Sequence, residues 1–176
     1  AGKQLELQSG GDILLLAAEN SSSQASAKSK SGLLSSKGKT SSQSQTQVVG
    51  TTVDAGSILI VAGQDLQVSA GDLRAQGDMA LQAGRDVELS SATQYSSQSQ
   101  SKHSSKLGFS HHALLTHTQK QQAVEQGSGT AVGSYLSADN LLISSGRDTD
   151  IQGSTLISER DMHIRAGRDL DIVSAE

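Results

Sequence analysis

Ala83-Gly84-Arg85-Asp86-Val87-Glu88-Leu89 puts a small residue, a glycine, a variable residue and an aspartate before an apolar–polar–apolar triplet, and the pattern recurs along the chain. It stands earlier as Ser9-Gly10-Gly11-Asp12-Ile13-Leu14-Leu15 and Ala62-Gly63-Gln64-Asp65-Leu66-Gln67-Val68. It returns as Ser145-Gly146-Arg147-Asp148-Thr149-Asp150-Ile151 and Ala166-Gly167-Arg168-Asp169-Leu170-Asp171-Ile172. The lead glycines Gly10, Gly63, Gly84, Gly146 and Gly167 are thus separated by 53, 21, 62 and 21, and the long intervals equal 21 plus an insertion of 32 or 41. A fixed period of this length is the mark of a repeat architecture.

Inside the unit the periodicity is 2. After Gly63, apolar or small residues alternate as Leu66, Val68, Ala70, then Leu73, Ala75, then Met79, Leu81, Ala83. After Gly146 the same positions hold Thr149, Ile151, Gly153, then Leu156, Ser158, then Met162, Ile164, Ala166. Short alternating runs read as strands with one buried face, and the Gly-x-Asp and Gly-Asp breaks between them read as turns. Three short strands and three turns make one coil of a parallel β-helix of about 21 residues, with coils expected roughly 4.8 Å apart. Four complete coils are expected, beginning near Gly10, Gly63, Gly84 and Gly146, with part-coils at each end. A strand-plus-helix repeat of the leucine-rich type is the competing reading, but the alternation of Leu66, Val68 and Ala70 leaves no helical face.

The long intervals interrupt the coil after its first strand, giving excursions over about 19–52 and 93–134. Ser, Gln, Thr and Lys dominate both, a composition that by itself suggests disorder. Both leave the coil at the same point and contain alternating polar runs, Ser41–Gln47 and Ser96–Ser101. They are therefore expected as extended hairpins against a flank of a single solenoid segment occupying 1–176.

Composition agrees with a core of small aliphatics. Of 176 residues 34% are apolar and only 2% aromatic, with no Trp, one Phe (Phe109) and two Tyr (Tyr95, Tyr135). Aromatics usually carry much of a globular core. There is no Pro and no Cys, which excludes disulfides, thiolate metal sites and a catalytic thiol and suits a chain that crosses an oxidising periplasm unfolded. A net charge of −4 argues against a generally cationic nucleic-acid binder. No apolar stretch is long enough to span a bilayer and no signal peptide opens the chain, so an excised fragment is expected.

Three groups of residues invite a chemical reading. Asp12, Asp65, Asp86, Asp148 and Asp169 suggest calcium, yet each turn offers one Asp at more than twice the spacing of the calcium-binding nonapeptide. The plainer expectation is an Asx-type turn, its stacked carboxylates partly offset by Arg85, Arg147 and Arg168. His111, His112 and His117 lie together in the second excursion, but a metal site needs three or four converging ligands and a solvated hairpin surface accounts for them. His103 and His163 stand alone. Some β-helices degrade polysaccharides with carboxylates paired across a groove, whereas Glu88, Asp150 and Asp171 alternate outward on strands and obey the repeat. Asn20-Ser21-Ser22 matches a short glycosylation sequon with little force. No catalytic, cofactor-binding or metal-binding residue is assigned.

The Ala-Gly-Arg-Asp-Leu-x-Ile unit, the alternation of bare and inserted coils, and the Glu-Asn-Ser-Ser-Ser opening at Glu19 resemble the haemagglutinin repeats of two-partner-secreted exoproteins. These include filamentous haemagglutinin and the effectors of contact-dependent growth inhibition, and the likeness is to their second repeat class over essentially the whole chain. The resemblance implies an all-β, right-handed parallel β-helix (β-solenoid), export through an outer-membrane secretion partner, and display on the surface of, or secretion from, a Gram-negative bacterium. It implies a structural rod for adhesion or for toxin delivery to a neighbouring cell, without enzymatic activity, cofactor or nucleic-acid partner. The alternative is a binding module whose excursions contact a receptor, a glycan or a target outer membrane. A chain that starts at Leu5 and Leu7 and stops just after Leu170 and Ile172 without a polar cap is also expected to associate end to end.

Overall fold

The computed structural model describes residues 3–110 and 113–175. Among them every regular element is a strand: β1 Gln4–Ser9, β2 Ile13–Leu15, β3 Ala18–Gly32, β4 Ser35–Val49, β5 Thr52–Ala55, β6 Ser57–Ala62, β7 Leu66–Ser69 and β8 Asp72–Ala75. These are followed by β9 Asp78–Ala83, β10 Val87–Ser90, β11 Ala92–Ser110, β12 Ala113–Val132, β13 Tyr135–Ser145, β14 Thr149–Gln152, β15 Thr155–Arg165 and β16 Leu170–Val173. The chain divides into two compact units. One comprises the described residues of Ala1–Asn20, Val48–Gln94 and Thr130–Glu176, the other Ser21–Gln47 and Tyr95–Gly129.

The first unit is the parallel solenoid. One face stacks β2, β7, β10, β14 and β16 in that order, all parallel. Its register aligns the repeat motifs: Ile13 opposes Leu66, Leu66 opposes Val87, Val87 opposes Thr149 and Thr149 opposes Leu170. From Leu66 to Val87 nothing intervenes and the partner is the matching residue of the next repeat. From Val87 to Thr149 the second excursion intervenes, and the pairing is unchanged. The remaining strands form a sheet with two arms: β1, β6, β9 and the second half of β13 on one, β5, β8 and the first half of β13 on the other, with β15 beside β13 along both.

Alternation puts Ile58, Ile60, Leu66, Val68, Leu73, Met79, Leu81, Val87, Leu89, Leu136, Leu141, Ile143 and Ile151 inside at 2% exposure or less. Leu7, Ile60, Leu81, Ile143 and Ile164 form a second ladder, one from each coil. Each such side chain stabilises by about 1.5–3 kcal/mol when fully buried, and a neighbouring coil is what buries it. Leu170 and Ile172 on β16, the outermost described strand of this stack, stay 48% and 60% exposed.

One rung is polar. Thr149 occupies the place of Val87 and is 1% exposed, and Ser145 occupies the place of Ala83. The two hydroxyls meet at 2.8 Å, so the substitutions satisfy each other inside an otherwise aliphatic column.

The second unit is a four-stranded sheet in the order β12, β11, β4, β3. The alternating polar runs pair antiparallel, Ser41 with Gln100, Gln43 with Gln98 and Gln45 with Ser96. Serines bridge the strands, at 2.9 Å for Ser36–Ser105, 2.7 Å for Ser44–Ser97 and 2.8 Å for Ser26–Ser41. Strand backbones satisfy themselves in such a sheet, so a polar composition that reads as disorder folds once it finds a partner of matching length. Thr52 already pairs with Asp72 in the solenoid, and Ser134, 1% exposed, receives the Gly71 N–H.

Candidate functional site: the Gly-x-Asp turn ladder

The recurring turn is the place where this sequence concentrates charge and glycine. Each turn docks on the one before it through backbone bonds: the amides of Gly63, Gly84, Gly146 and Gly167 donate to the carbonyls of Ser9, Ala62, Ala83 and Ser145 at 2.8–3.1 Å. This closeness explains the glycines. A Cβ added at Gly63, Gly84, Gly146 or Gly167 would run into the carbonyl oxygen of the glycine one coil earlier, whereas at Gly10 it would meet nothing within 4 Å.

The aspartates link coils and do not close their own turns, which corrects the Asx-turn expectation. Asp65 N–H donates to the Asp12 carboxylate at 3.1 Å, Asp86 N–H to Asp65 at 3.3 Å, Asp148 N–H to Asp86 at 3.2 Å and Asp169 N–H to Asp148 at 3.3 Å. The next coil's arginine then caps the same carboxylate with two parallel donors. Arg85 Nε reaches Asp65 at 2.9 Å, Arg147 Nε reaches Asp86 at 3.1 Å and Arg168 Nε reaches Asp148 at 2.8 Å, each with Nη2 on the second oxygen. The inter-coil link is favoured because the guanidinium fork fits a carboxylate bidentately. Gln64 stands where later coils carry arginine, so Asp12 has the backbone donor alone among these contacts.

The guanidinium bonds, above all, hold the carboxyls of Asp65, Asp86 and Asp148 below their ordinary value of 3.8. Each of these three carboxylates holds three donors at its roughly four lone-pair sites, and the guanidinium charge beside it works against a cation.

The other residues singled out in the sequence disperse. Glu88, Asp150 and Asp171 stand in one outward row on β10, β14 and β16, and the carboxylates that line a groove with Glu88, among them Asp65 and Asp86, are held by Arg85 and Arg147. His103 lies on β11 over Gly38, His117 is exposed on β12 and His163 is exposed on β15. His111 and His112 lie outside the described residues. Among the described residues no three His, Asp or Glu side chains gather as metal ligands. Asn20 lies in β3, which is exposed throughout.

The lysines, which carry no motif of their own, are distributed unevenly. Ser21–Gln47 and Tyr95–Gly129 hold Lys28, Lys30, Lys37, Lys39, Lys102, Lys106 and Lys120 against the single acid Glu125, and no arginine. With His neutral this second unit is +6, so the remainder of a chain of net −4 is −10. Sequence reasoning missed this, although the signal was present in the spacing Lys28-x-Lys30 and Lys37-x-Lys39, which period-2 alternation sends to one face.

Comparison with known proteins agrees with the repeat geometry. The hemagglutinin repeat family matches residues 32–176. The chain is 32% identical over 132 residues to the tRNA nuclease CdiA-2 of Burkholderia pseudomallei strain 1026b, covering 73% of this chain and 4% of that protein. It is 36% identical over 123 residues to the 16S rRNA endonuclease CdiA of Enterobacter cloacae subsp. cloacae, covering 68% and 4%. To the deoxyribonuclease CdiA of Dickeya dadantii it is 32% identical over 111 residues, covering 62% and 3%. The chain thus spans only a few hundredths of the length of these relatives. No solved structure matches it. With parallel coils in motif register and a family match over most of its length, the chain belongs to the hemagglutinin repeat family.

Proposed function

We propose that this chain is a non-enzymatic, rod-forming segment of a large secreted or surface-displayed exoprotein of a Gram-negative bacterium, serving adhesion or toxin delivery to a neighbouring cell. The observation that carries the reading is the unbroken register from Ile13 through Leu66, Val87 and Thr149 to Leu170, because a solenoid in which every coil repeats the last is built for extension. The three relatives named above are nucleases by name, but the match covers 3–4% of each, so their activity belongs to other parts of those proteins. On this reading 1–176 is one stretch of a longer array, with excursions over about 19–52 and 93–134, exported through an outer-membrane secretion partner. The exposed Leu170, Ile172 and Val173 of β16 are a surface for the next coil, or for a second copy when no coil follows.

The test is functional separation in the whole exoprotein. Glu88→Gln, Asp150→Asn and Asp171→Asn together should leave adhesion or delivery intact, since they change outward chemistry without touching the core. Leu81→Asp should abolish it by unfolding coils. Loss of function in the first variant with its thermal melt unchanged would mean that the outward row does chemistry, and the rod reading would fall.

A further inference from the structure

We infer that the antiparallel sheet carries an anion-binding face built from two rows of lysines, and that its partner is a phosphate-bearing membrane surface. The placement follows from strand register. Lys39 on β4 is directly opposite Lys102 on β11, and Lys37 is opposite Ser104. Ser26 and Ser41 meet at 2.8 Å, so two and four steps further along the antiparallel pair Lys28 lies opposite Lys39 and Lys30 opposite Lys37. Ser96 and Ser128 meet at 2.9 Å, and the Thr116 hydroxyl donates to the Gly108 carbonyl at 2.9 Å. The same register brings Gln122 opposite Lys102 and Lys120 opposite Ser104. One row across the sheet is therefore Lys28, Lys39, Lys102 and Gln122, and the adjacent row is Lys30, Lys37, Ser104 and Lys120.

Six of eight positions in this block are lysine, all on one face, and they line one open cleft of about 770 Å³. The block measures roughly 14 Å across the strands and 7 Å along them. Lys106 shares the face two steps beyond Ser104, and Glu125, at an odd position on β12, takes the other. No ion pair among the described residues involves a lysine. Like charges placed directly opposite on neighbouring strands destabilise a sheet, so the arrangement works against the fold of the isolated chain and is relieved by an anionic partner.

The identity of that partner follows from what the face lacks. It has no arginine for bidentate base or phosphate readout and no aromatic ring for stacking, the two devices that proteins use on nucleic acids. A linear polyanion crossing the sheet would engage one row and leave the other unmatched, whereas a plane of headgroups presents charge in two dimensions. A second copy of the solenoid, net −10, holds Asp65, Asp86 and Asp148 on its own arginines. It otherwise offers dispersed outward carboxylates such as Glu88, Asp150 and Asp171, and exposed pairs of that kind contribute little. The eight positions of the block carry lysine, glutamine and serine and no apolar side chain, so attachment is electrostatic.

The experiment uses the full chain and sedimentation with vesicles of anionic phospholipid mixed with neutral lipid, against vesicles of neutral lipid alone. Binding is expected to anionic vesicles only, and to vanish between ~0.1 M and ~1 M salt as the Debye length shrinks from about 10 to about 3 Å. Each lysine near such a surface contributes about fivefold in affinity. Lys28→Gln, Lys39→Gln and Lys102→Gln together should then weaken binding by on the order of 10²-fold. The charge-matched set Lys3→Gln, Arg160→Gln and Arg165→Gln on the solenoid should change it far less, with circular dichroism of both sets unchanged. Equal losses in the two sets would reduce the effect to net charge and overturn the assignment. Tighter binding to a sulfated glycan or to duplex DNA than to vesicles would overturn the membrane partner. A folded chain that binds no anionic vesicle would overturn the inference and leave the rod role standing.

Discussion

The buried hydroxyl pair gives a sharp test of how the coils are registered. Thr149 and Ser145 replace the Val87 and Ala83 of the preceding coil, lie at 1% and 7% exposure, and bond only to each other through their side chains at 2.8 Å. Ser145→Ala would leave the Thr149 hydroxyl buried without a partner, at a cost of about 1–3 kcal/mol. Thr149→Val would leave the Ser145 hydroxyl in the same position at a similar or smaller cost, because Ser145 is the less buried. The double variant recreates the Ala/Val cell that the neighbouring coil already packs, so it should be near neutral or stabilising. Urea denaturation followed by circular dichroism on the four chains yields the coupling energy, expected at about 1–3 kcal/mol in favour of the double variant. Additive losses would show that Ser145 and Thr149 do not face each other across the core, and the coil register would be wrong.

Gly84→Ala drives a Cβ into the Gly63 carbonyl while Gly10→Ala meets open space. Forcing the coils apart weakens at least the Gly84 and Arg85 amide bonds, so thermal melting should register a loss of about 1–3 kcal/mol for the first and stay within about 0.5 kcal/mol for the second. Leu81→Asp places a charge at a site of 0% exposure at a cost of several kcal/mol, and the loss of β signal by circular dichroism should extend over several coils. Asp65, Asp86 and Asp148 have depressed carboxyl pKa values, so the stability they confer is complete above their unfolded value near 3.8 and is lost as pH falls below it. Melting temperature should therefore be flat from neutrality to about pH 5 and decline below about pH 4, and the decline should weaken when Arg85, Arg147 and Arg168 are replaced by Gln.

Much of the solenoid was legible because period-2 alternation reports which side chains go inside. Leu66, Val87 and Leu170 could be placed on one ladder and Ile60, Leu81 and Ile143 on another from spacing alone, and their pairing follows that order. Alternation says nothing of which polar group meets which. The Asp86 carboxylate takes its donors from Arg147 and Asp148, beyond the whole second excursion, so a local reading assigned it to its own turn. The Ser145–Thr149 bond looks in the sequence like two imperfections in the repeat. The lysine block stayed hidden for the same reason. Lys37-x-Lys39 announces a shared face, but only the pairing of Lys39 with Lys102, which belongs to the other excursion, turns two short motifs into a surface.

In the solenoid, residues far apart in sequence lie one strand apart in parallel register, and spin labels at Glu88→Cys and Asp150→Cys measure that most directly. The chain has no native cysteine, and these two outward positions flank the second excursion in sequence yet are adjacent on β10 and β14. The backbones there should be about 4.8 Å apart, giving a continuous-wave spectrum strongly broadened by dipolar coupling, while Gln67→Cys with Asp171→Cys, three strands apart, should broaden much less. An unbroadened Glu88/Asp150 spectrum, or equal broadening in the two pairs, would contradict the stacked-coil register.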